Sequence, residues 1–166
     1  MVVKLSLDTL KTLPAGVTGP SYDREALSAG IMHFGVGNFH RSHQAVYLDA
    51  LMNKGLAHDW ALVGAGIFTG ERKGRDVLQE QDLLTTVVEQ EAEKTSVHVT
   101  GPMIEFIEPG NAEATIERMV QPDIRIVSLT ITEGGYFLNS DQEFDTEHAD
   151  IKADAASLQS PKTVFG

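Results

Sequence analysis

The stretch HFGVGNFHRSHQAVYLDALMNKG, residues 33–55, decides the fold of this chain. It begins inside the apolar run IMHFGV at 31–36, and a short apolar run that ends in glycine predicts a buried strand. From Asn38 onward apolar residues recur at helical spacing, and Gly55 follows as a helix stop. The stretch therefore predicts a strand, a tight turn and a helix in that order.

Two glycines lie where the predicted strand meets the helix. In the G-x-G-x-x-G turn of dinucleotide-binding folds, the first glycine permits the tight turn and the second lets the pyrophosphate approach the backbone. The third lets the helix pack closely on its strand. Gly35 and Gly37 occupy the first two positions, whereas His40 occupies the third. The residues alone leave two interpretations open: a cofactor loop with an altered third position, and a plain structural turn before a helix.

The apolar run WALVGAGI at 60–67 predicts a second buried strand, which completes a βαβ unit and indicates a parallel sheet. Residues 1–30 contain several Pro and Gly breaks and are interpreted as an N-terminal arm. Further predicted elements are a short helix at 71–81, a β-hairpin formed by the runs 83–90 and 96–107, a helix at 111–121 and a buried strand at 124–131. The fold class is therefore α/β with an inserted hairpin.

The last third of the chain gives a weaker signal. Residues 143–166 are polar and acidic and predict loop with a short helix. The final SPKTVFG, with Ser160 before Pro161, resembles the cap and first turn of a helix, so we expect a longer protein to continue from it.

Composition excludes several functions. The chain has 13 basic and 24 acidic residues among 166, a net charge of −11, which disfavours binding to nucleic acid or to an anionic membrane surface. The absence of cysteine excludes disulfides, cysteine nucleophiles and thiolate metal sites. No apolar run approaches the ~18 residues of a membrane span, and a cytoplasmic location is expected.

An acidic residue after the second strand is the expected partner of the adenosine ribose. Asp59 has about the right spacing but precedes the strand at 60–67, at the wrong end of the sheet. Glu71 follows that strand and is the better candidate. The alternative, that Glu71 caps the next helix, is compatible with a ribose contact.

Three histidines and one further acidic residue are candidates for site residues. His33, His40 and His43 lie close in sequence, but a metal site needs three or four suitable ligands, and we interpret them as ordinary histidines around a helix start. Ser42 next to His43 lacks the surroundings of a hydrolase nucleophile. Glu133 follows the strand at 124–131, where open sheets bind ligands, and a purely structural role in the turn is the alternative.

Four segments together resemble the long-chain mannitol dehydrogenase family of polyol and sugar-acid dehydrogenases. They are GVGNFHRSHQAVYLD, DWALVGAGI, QDLLTTVVE and SLTITEGGYF, and the resemblance covers roughly residues 13–166. In this family histidine at the third position is the rule, and the loop still binds the cofactor. Members continue for several hundred residues, need no zinc, and carry a general-base lysine in a later helical domain.

The resemblance implies an incomplete Rossmann-type doubly wound sheet at 31–166 that binds NAD. It implies the following cofactor-binding residues, with Arg41 either near phosphate or paired with an acid: Gly35, Val36, Gly37, Asn38, Phe39, His40, Arg41, Glu71, Thr132, Glu133 and Gly134. No catalytic residue is expected within this chain.

The resemblance also implies a function, namely the NAD-binding part of a dehydrogenase that oxidises a polyol such as D-mannitol to D-fructose. The alternatives are a sugar-acid reductase of the same family and a non-catalytic nucleotide-binding module. A small-molecule polyol is the expected partner, and the oligomeric state is left open.

Overall fold

The computed structural model describes residues 4–166, with the exception of the side chain of Glu133. The strands are β1 Val17–Thr18, β2 Ala29–Phe34, β3 Ala61–Ala65, β4 Thr85–Gln90, β5 Thr95–Thr100, β6 Met103–Phe106 and β7 Ile126–Leu129. The α-helices are α1 Asn38–Ser42, α2 Gln44–Met52, α3 Arg72–Gln79, α4 Ala112–Met119 and α5 Ala149–Ala156. Within residues 4–166, no helix is both long and apolar enough to cross a membrane.

Four strands form a parallel sheet in the order β6-β3-β2-β7. The chain moves from β2 to β3 on one side, and later returns to place β7 on the other side of β2. This reversal of strand order makes a topological switch point between β2 and β7, and open α/β sheets bind ligands at the carboxyl ends of such strands. The predicted Rossmann-type sheet is thus confirmed.

Both faces of the sheet are covered near its centre, because successive residues of a strand point to opposite sides. Ile31 and Leu62 pack on one face in a cluster that includes residues of α2 and α3. Met32 and Val63 pack on the other face, in a cluster with residues of α4. Helices on both faces give the doubly wound arrangement expected from the sequence.

β7 departs from the prediction that the strand at 124–131 is buried. Ile126, Val127 and Leu129 are 44%, 44% and 45% exposed. The reason is position: β7 is the outermost strand, and in the described part of the chain no strand pairs with its second edge.

A second sheet has the order β1-β5-β4. β4 and β5 pair antiparallel, which confirms the predicted hairpin, and β1 from the N-terminal arm adds a parallel strand to β5. The predicted run at 96–107 is, however, two strands in two sheets. Gly101 and Pro102 separate them, since proline has no N–H for a ladder. The Pro102 carbonyl accepts from the Leu62 N–H at 2.9 Å, which leads β6 onto β3.

The helix predicted to start at Asn38 is interrupted. His43 has φ −126° and ψ −84°, outside the helical region, and it separates the short α1 from α2. The glycine turn is therefore followed by the short helix α1, and α2 begins only after the break at His43.

The last residues of the chain are held by one carboxylate. Residues 160–166 form no helix, and the buried carboxylate of Asp154 accepts from the N–H groups of Lys162 at 2.5 Å and Thr163 at 3.0 Å. The segment folds back on α5, which is the short helix expected in this region.

Candidate functional site

A groove of about 1080 Å³ lies at the carboxyl ends of β2, β3 and β7. It brings together eight of the eleven predicted site residues, namely Gly35, Val36, Gly37, Asn38, Phe39, Arg41, Glu71 and Thr132. These residues come from three separate segments of the sequence. The groove therefore spans the switch point between β2 and β7.

The turn at residues 35–37 requires glycine at its first position. Gly35 has φ +86°, and a Cβ there would stand 2.4 Å from the Thr130 carbonyl oxygen. The Gly37 N–H donates to the Gly35 carbonyl at 2.7 Å, which closes the turn. A Cβ on Gly37 would meet only the Gly35 oxygen at 3.9 Å, so this position opens on the groove. Gly35 is thus required by the turn itself, whereas Gly37 is the position at which the turn is open to the groove.

Backbone donors and one cation lie beside the turn. The first N–H groups of a helix have no acceptor within it, and α1 begins at Asn38. The Arg41 guanidinium donates to the Gly37 carbonyl at 3.3 Å and to the Asn38 side-chain oxygen at 2.5 Å. Arg41 therefore lies along the turn, and both recorded partners are neutral.

His40 is the residue that differs most from its predicted place. Its side chain is 1% exposed and does not line the groove. Its ring stacks on the equally buried ring of His33, with centroids 3.7 Å apart and planes 14° apart. His40 therefore packs beneath the turn, where the third glycine would otherwise allow close helix packing.

Hydrogen bonds determine which tautomer His33 adopts. The Thr130 hydroxyl donates to the Gly35 carbonyl at 2.7 Å, so it accepts from His33 Nε2–H at 3.0 Å. Nδ1 of His33 then accepts from the Ser128 hydroxyl at 2.8 Å. Burial lowers the pKa of His33 to about 4, and burial together with His33 lowers the pKa of His40 to about 3. Both rings are neutral at physiological pH.

Glu71 lies at the β3 side of the groove, half-buried. Its Oε2 accepts from the N–H groups of Ile67 and Phe68, both at 2.9 Å, so the carboxylate caps the loop that follows β3. Asp59, the other acidic candidate, lies before the start of β3, and its carboxylate accepts a hydrogen bond from Arg125.

Basic residues surround Glu71. Arg72 pairs with Glu108 at 2.8 Å, and Arg75 pairs with Asp76 at 3.1 Å. Lys73 lines the groove beside Glu71 and was not singled out from the sequence.

The β7 side of the groove is lined by Thr130, Thr132 and Tyr136, among others. Gly134 borders a neighbouring hollow instead. The side chain of Glu133 lies outside the described part of the chain. Tyr136 was missed as a site residue, although its place three residues after Glu133 in the same glycine-rich turn was the available signal.

The remaining histidine also has a local partner. His43 stacks on Phe39 with ring centroids 4.3 Å apart. Among residues 4–166, with Glu133 left aside, no three His, Asp or Glu side chains come together in an arrangement that would hold a metal ion.

The strand order, the glycine turn and the groove at the switch point define a Rossmann-type α/β fold. Residues 29–166 match the model of the mannitol dehydrogenase Rossmann domain, and the chain belongs to this family.

Known proteins resemble the chain over most of its length. The chain is 52% identical over 152 residues to mannitol 2-dehydrogenase of Cereibacter sphaeroides. This alignment covers 90% of the chain and 32% of that relative. It is 42% identical to a polyol:NADP oxidoreductase of Gluconobacter oxydans, over 98% of the chain and 34% of that protein.

The fold matches a solved structure equally well. A Pseudomonas fluorescens mannitol 2-dehydrogenase, solved as a ternary complex with NAD and D-mannitol, aligns with a TM-score of 0.91 and 44% identity. The alignment covers 98% of the chain and 34% of that protein. The chain thus spans about a third of the length of these relatives.

Proposed function

We propose that this chain binds NAD and forms the cofactor-binding part of a dehydrogenase that oxidises a sugar alcohol, such as D-mannitol, to a ketose, such as D-fructose. The observation that carries the proposal is the turn of Gly35 and Gly37 at the switch point, which opens on the groove. The whole turn lies in the region shared with a relative solved with NAD and D-mannitol. Bound NAD supplies the acceptor for the substrate's hydride.

The groove has the properties that a dinucleotide requires. Its volume of about 1080 Å³ is slightly above the ~300–1,000 Å³ that is usual for small-molecule sites. Gly37 leaves room for a diphosphate to approach the backbone, and Arg41 supplies local positive charge in a chain of net charge −11. Electrostatic attraction therefore acts at the turn although the whole molecule is acidic.

The orientation of the cofactor follows from the two ends of the groove. The adenosine half would lie toward β3 and Glu71, and the nicotinamide half toward β7 and Thr132. Glu133 and Gly134 remain predicted neighbours of the nicotinamide. We expect the protein to act in the cytoplasm on a small polyol.

Glu71 favours NAD over NADP in this arrangement. Its Oε2 caps the loop after β3, and the carboxylate can still accept from the ribose hydroxyls while its charge repels a 2′-phosphate. Two observations speak against a strict preference for NAD. The cationic side chain of Lys73 lines the same end of the groove, and one relative is named for NADP.

Glu71→Gln separates charge from capping, since an amide oxygen still accepts both backbone N–H groups. Calorimetry should show the ratio of NAD to NADP affinity shifting toward NADP by about tenfold, which corresponds to ~1.4 kcal/mol. An unchanged ratio would mean that Glu71 only caps its loop.

Cofactor binding itself is tested by titrating the chain with NAD. Gly37→Ala adds a methyl group on the open side of the turn, where its Cβ meets only the Gly35 oxygen at 3.9 Å, so NAD affinity should fall at least about tenfold while the melting temperature stays near that of the parent. Absence of NAD binding by the unsubstituted chain would overturn the proposed function.

The chain alone should not turn over polyols. The family resemblance puts the general-base lysine in a later domain, so mannitol, arabinitol and sorbitol should yield no NADH above a mock-purified control. NADH formation by the 166-residue chain would contradict this division of roles.

A further inference from the structure

We propose that Thr130 and His33 are positioning residues, which hold the glycine turn in the shape that receives the cofactor's diphosphate. The proposal rests on the proposed function and assigns a role to a hydrogen-bonded pair in which Thr130 lines the groove and His33 is buried. Neither side chain was a predicted site residue.

The Gly35 carbonyl is the point of attachment. It accepts from the Gly37 N–H at 2.7 Å within the turn and from the Thr130 hydroxyl at 2.7 Å across the sheet. The first bond closes the turn, and the second connects the turn to Thr130, which directly follows β7. Without the hydroxyl, the Gly35 carbonyl would keep only the bond from the Gly37 N–H. The Gly35 N–H would still donate to the Ala65 carbonyl at 3.2 Å, so the loss would act on the carbonyl side of the turn.

His33 sets the direction of that hydroxyl. A threonine O–H rotates to suit its surroundings, and it has a single proton to donate. With the His33 Nε2–H donating to Thr130 Oγ1 at 3.0 Å, the hydroxyl proton is left for the Gly35 carbonyl, whereas a ring with its proton on Nδ1 would compete for that proton. The Ser128 hydroxyl bonds the other ring nitrogen, and His40 stacks on the ring, so the imidazole has little freedom to turn.

The arrangement joins the two sides of the switch point. Gly35 follows β2, whereas Thr130 follows β7, and the two strands are paired through Phe34 and Leu129 just before them. The hydroxyl therefore fixes the turn relative to the strand end that leads to the nicotinamide side. Its loss should affect ligands that reach the turn and spare ligands that occupy only the adenosine end.

The experiment compares three variants of the 166-residue chain. Thr130→Val keeps the β-branched shape and removes the hydroxyl, and Thr130→Ser restores the hydroxyl without the methyl group. Thr86→Val makes the same exchange on the exposed face of the hairpin, away from the groove. Calorimetry with NAD, ADP-ribose and adenosine reports affinity, and thermal melting reports folding.

We expect Thr130→Val to weaken the binding of NAD and ADP-ribose by about tenfold and the binding of adenosine by less than about twofold. A tenfold loss corresponds to one buried hydrogen bond, and only ligands that reach the turn depend on it. Thr130→Ser should recover most of the affinity, and Thr86→Val should match the parent. Equal affinities for ADP-ribose in Thr130→Val and the parent would overturn the proposal, as would an equal loss for adenosine.

A second measurement needs no cofactor. Nitrogen-15 spectra should show His33 in the Nε2–H tautomer, and the Gly37 amide should exchange with solvent faster in Thr130→Val than in the parent. The opposite tautomer, or unchanged exchange, would overturn the positioning role. A parent chain that binds neither NAD nor ADP-ribose would instead refute the proposed function, while the exchange result would still decide whether Thr130 holds the turn.

Discussion

β3 and β7 both pair in parallel with β2, but their surroundings differ. Every residue of β3 is buried, whereas three of the four residues of β7 are exposed. The backbone pairing is the same, so the difference comes from what covers the strands: β3 lies between β2 and β6 under helices, and β7 is the outermost strand. The end of the groove proposed for the adenosine and diphosphate is therefore built on a buried strand, and the end proposed for the nicotinamide on an exposed one.

The largest expected effect tests the contact between the two regions. Gly35→Ala places a methyl group against the Thr130 carbonyl in a left-handed backbone, so the free energy of unfolding should fall by more than about 3 kcal/mol. Urea unfolding measures this change.

Gly55→Ala is the matched control for that substitution. Gly55 has φ +76° with open space where its Cβ would lie, so only the backbone term of about 1 kcal/mol should be lost. Similar losses in the two variants would mean that the turn does not pack against β7 as described.

A smaller effect compares the strands themselves. Val63 of β3 is fully buried, and Val63→Ala should cost about 2–3 kcal/mol through lost burial and a cavity. Val127 of β7 is 44% exposed, and Val127→Ala should cost less than about 1 kcal/mol. Both values come from urea unfolding, and equal costs would show that β7 is covered in solution.

The most gradual effect concerns pH. His33 and His40 have folded-state pKa values of about 4 and about 3, below the ordinary 6.5, so the unfolded chain binds protons first as the pH falls. Stability should therefore decrease as the pH drops from 6.5 toward 4, by at most about 1.4 kcal/mol per pH unit for each histidine.

His40→Phe retains an aromatic ring for stacking and removes one titrating group. Urea unfolding across this pH range should give a shallower decrease in stability for the variant than for the parent. If stability fell equally steeply with pH in the variant and the parent, the pKa of His40 would not differ between the folded and unfolded states, which would contradict its burial.

Local pattern predicted the strands, the hairpin and the glycine turn because each depends on neighbours in sequence. It could not separate β5 from β6, since the choice of sheet depends on the partner strand β3. The exposure of β7 was missed for a similar reason: an apolar run predicts burial only when another element covers it.

The site shows the same limit. Gly35 and Gly37 were predicted from spacing, but the bond from Thr130 to the turn joins residues 95 positions apart in the sequence. The stacking of His40 on His33 likewise depends on how α1 packs over β2. A histidine inside an apolar strand, which needs a buried partner, was the one available signal.

Nuclear magnetic resonance of the backbone amides can show directly where NAD binds on the chain. We expect chemical-shift changes concentrated at residues 35–41 and at Glu71, with smaller changes at residues 130–136 and none in the hairpin of β4 and β5. Shifts centred on the hairpin or on the hollow beside Gly134, with the glycine turn unaffected, would contradict this expectation.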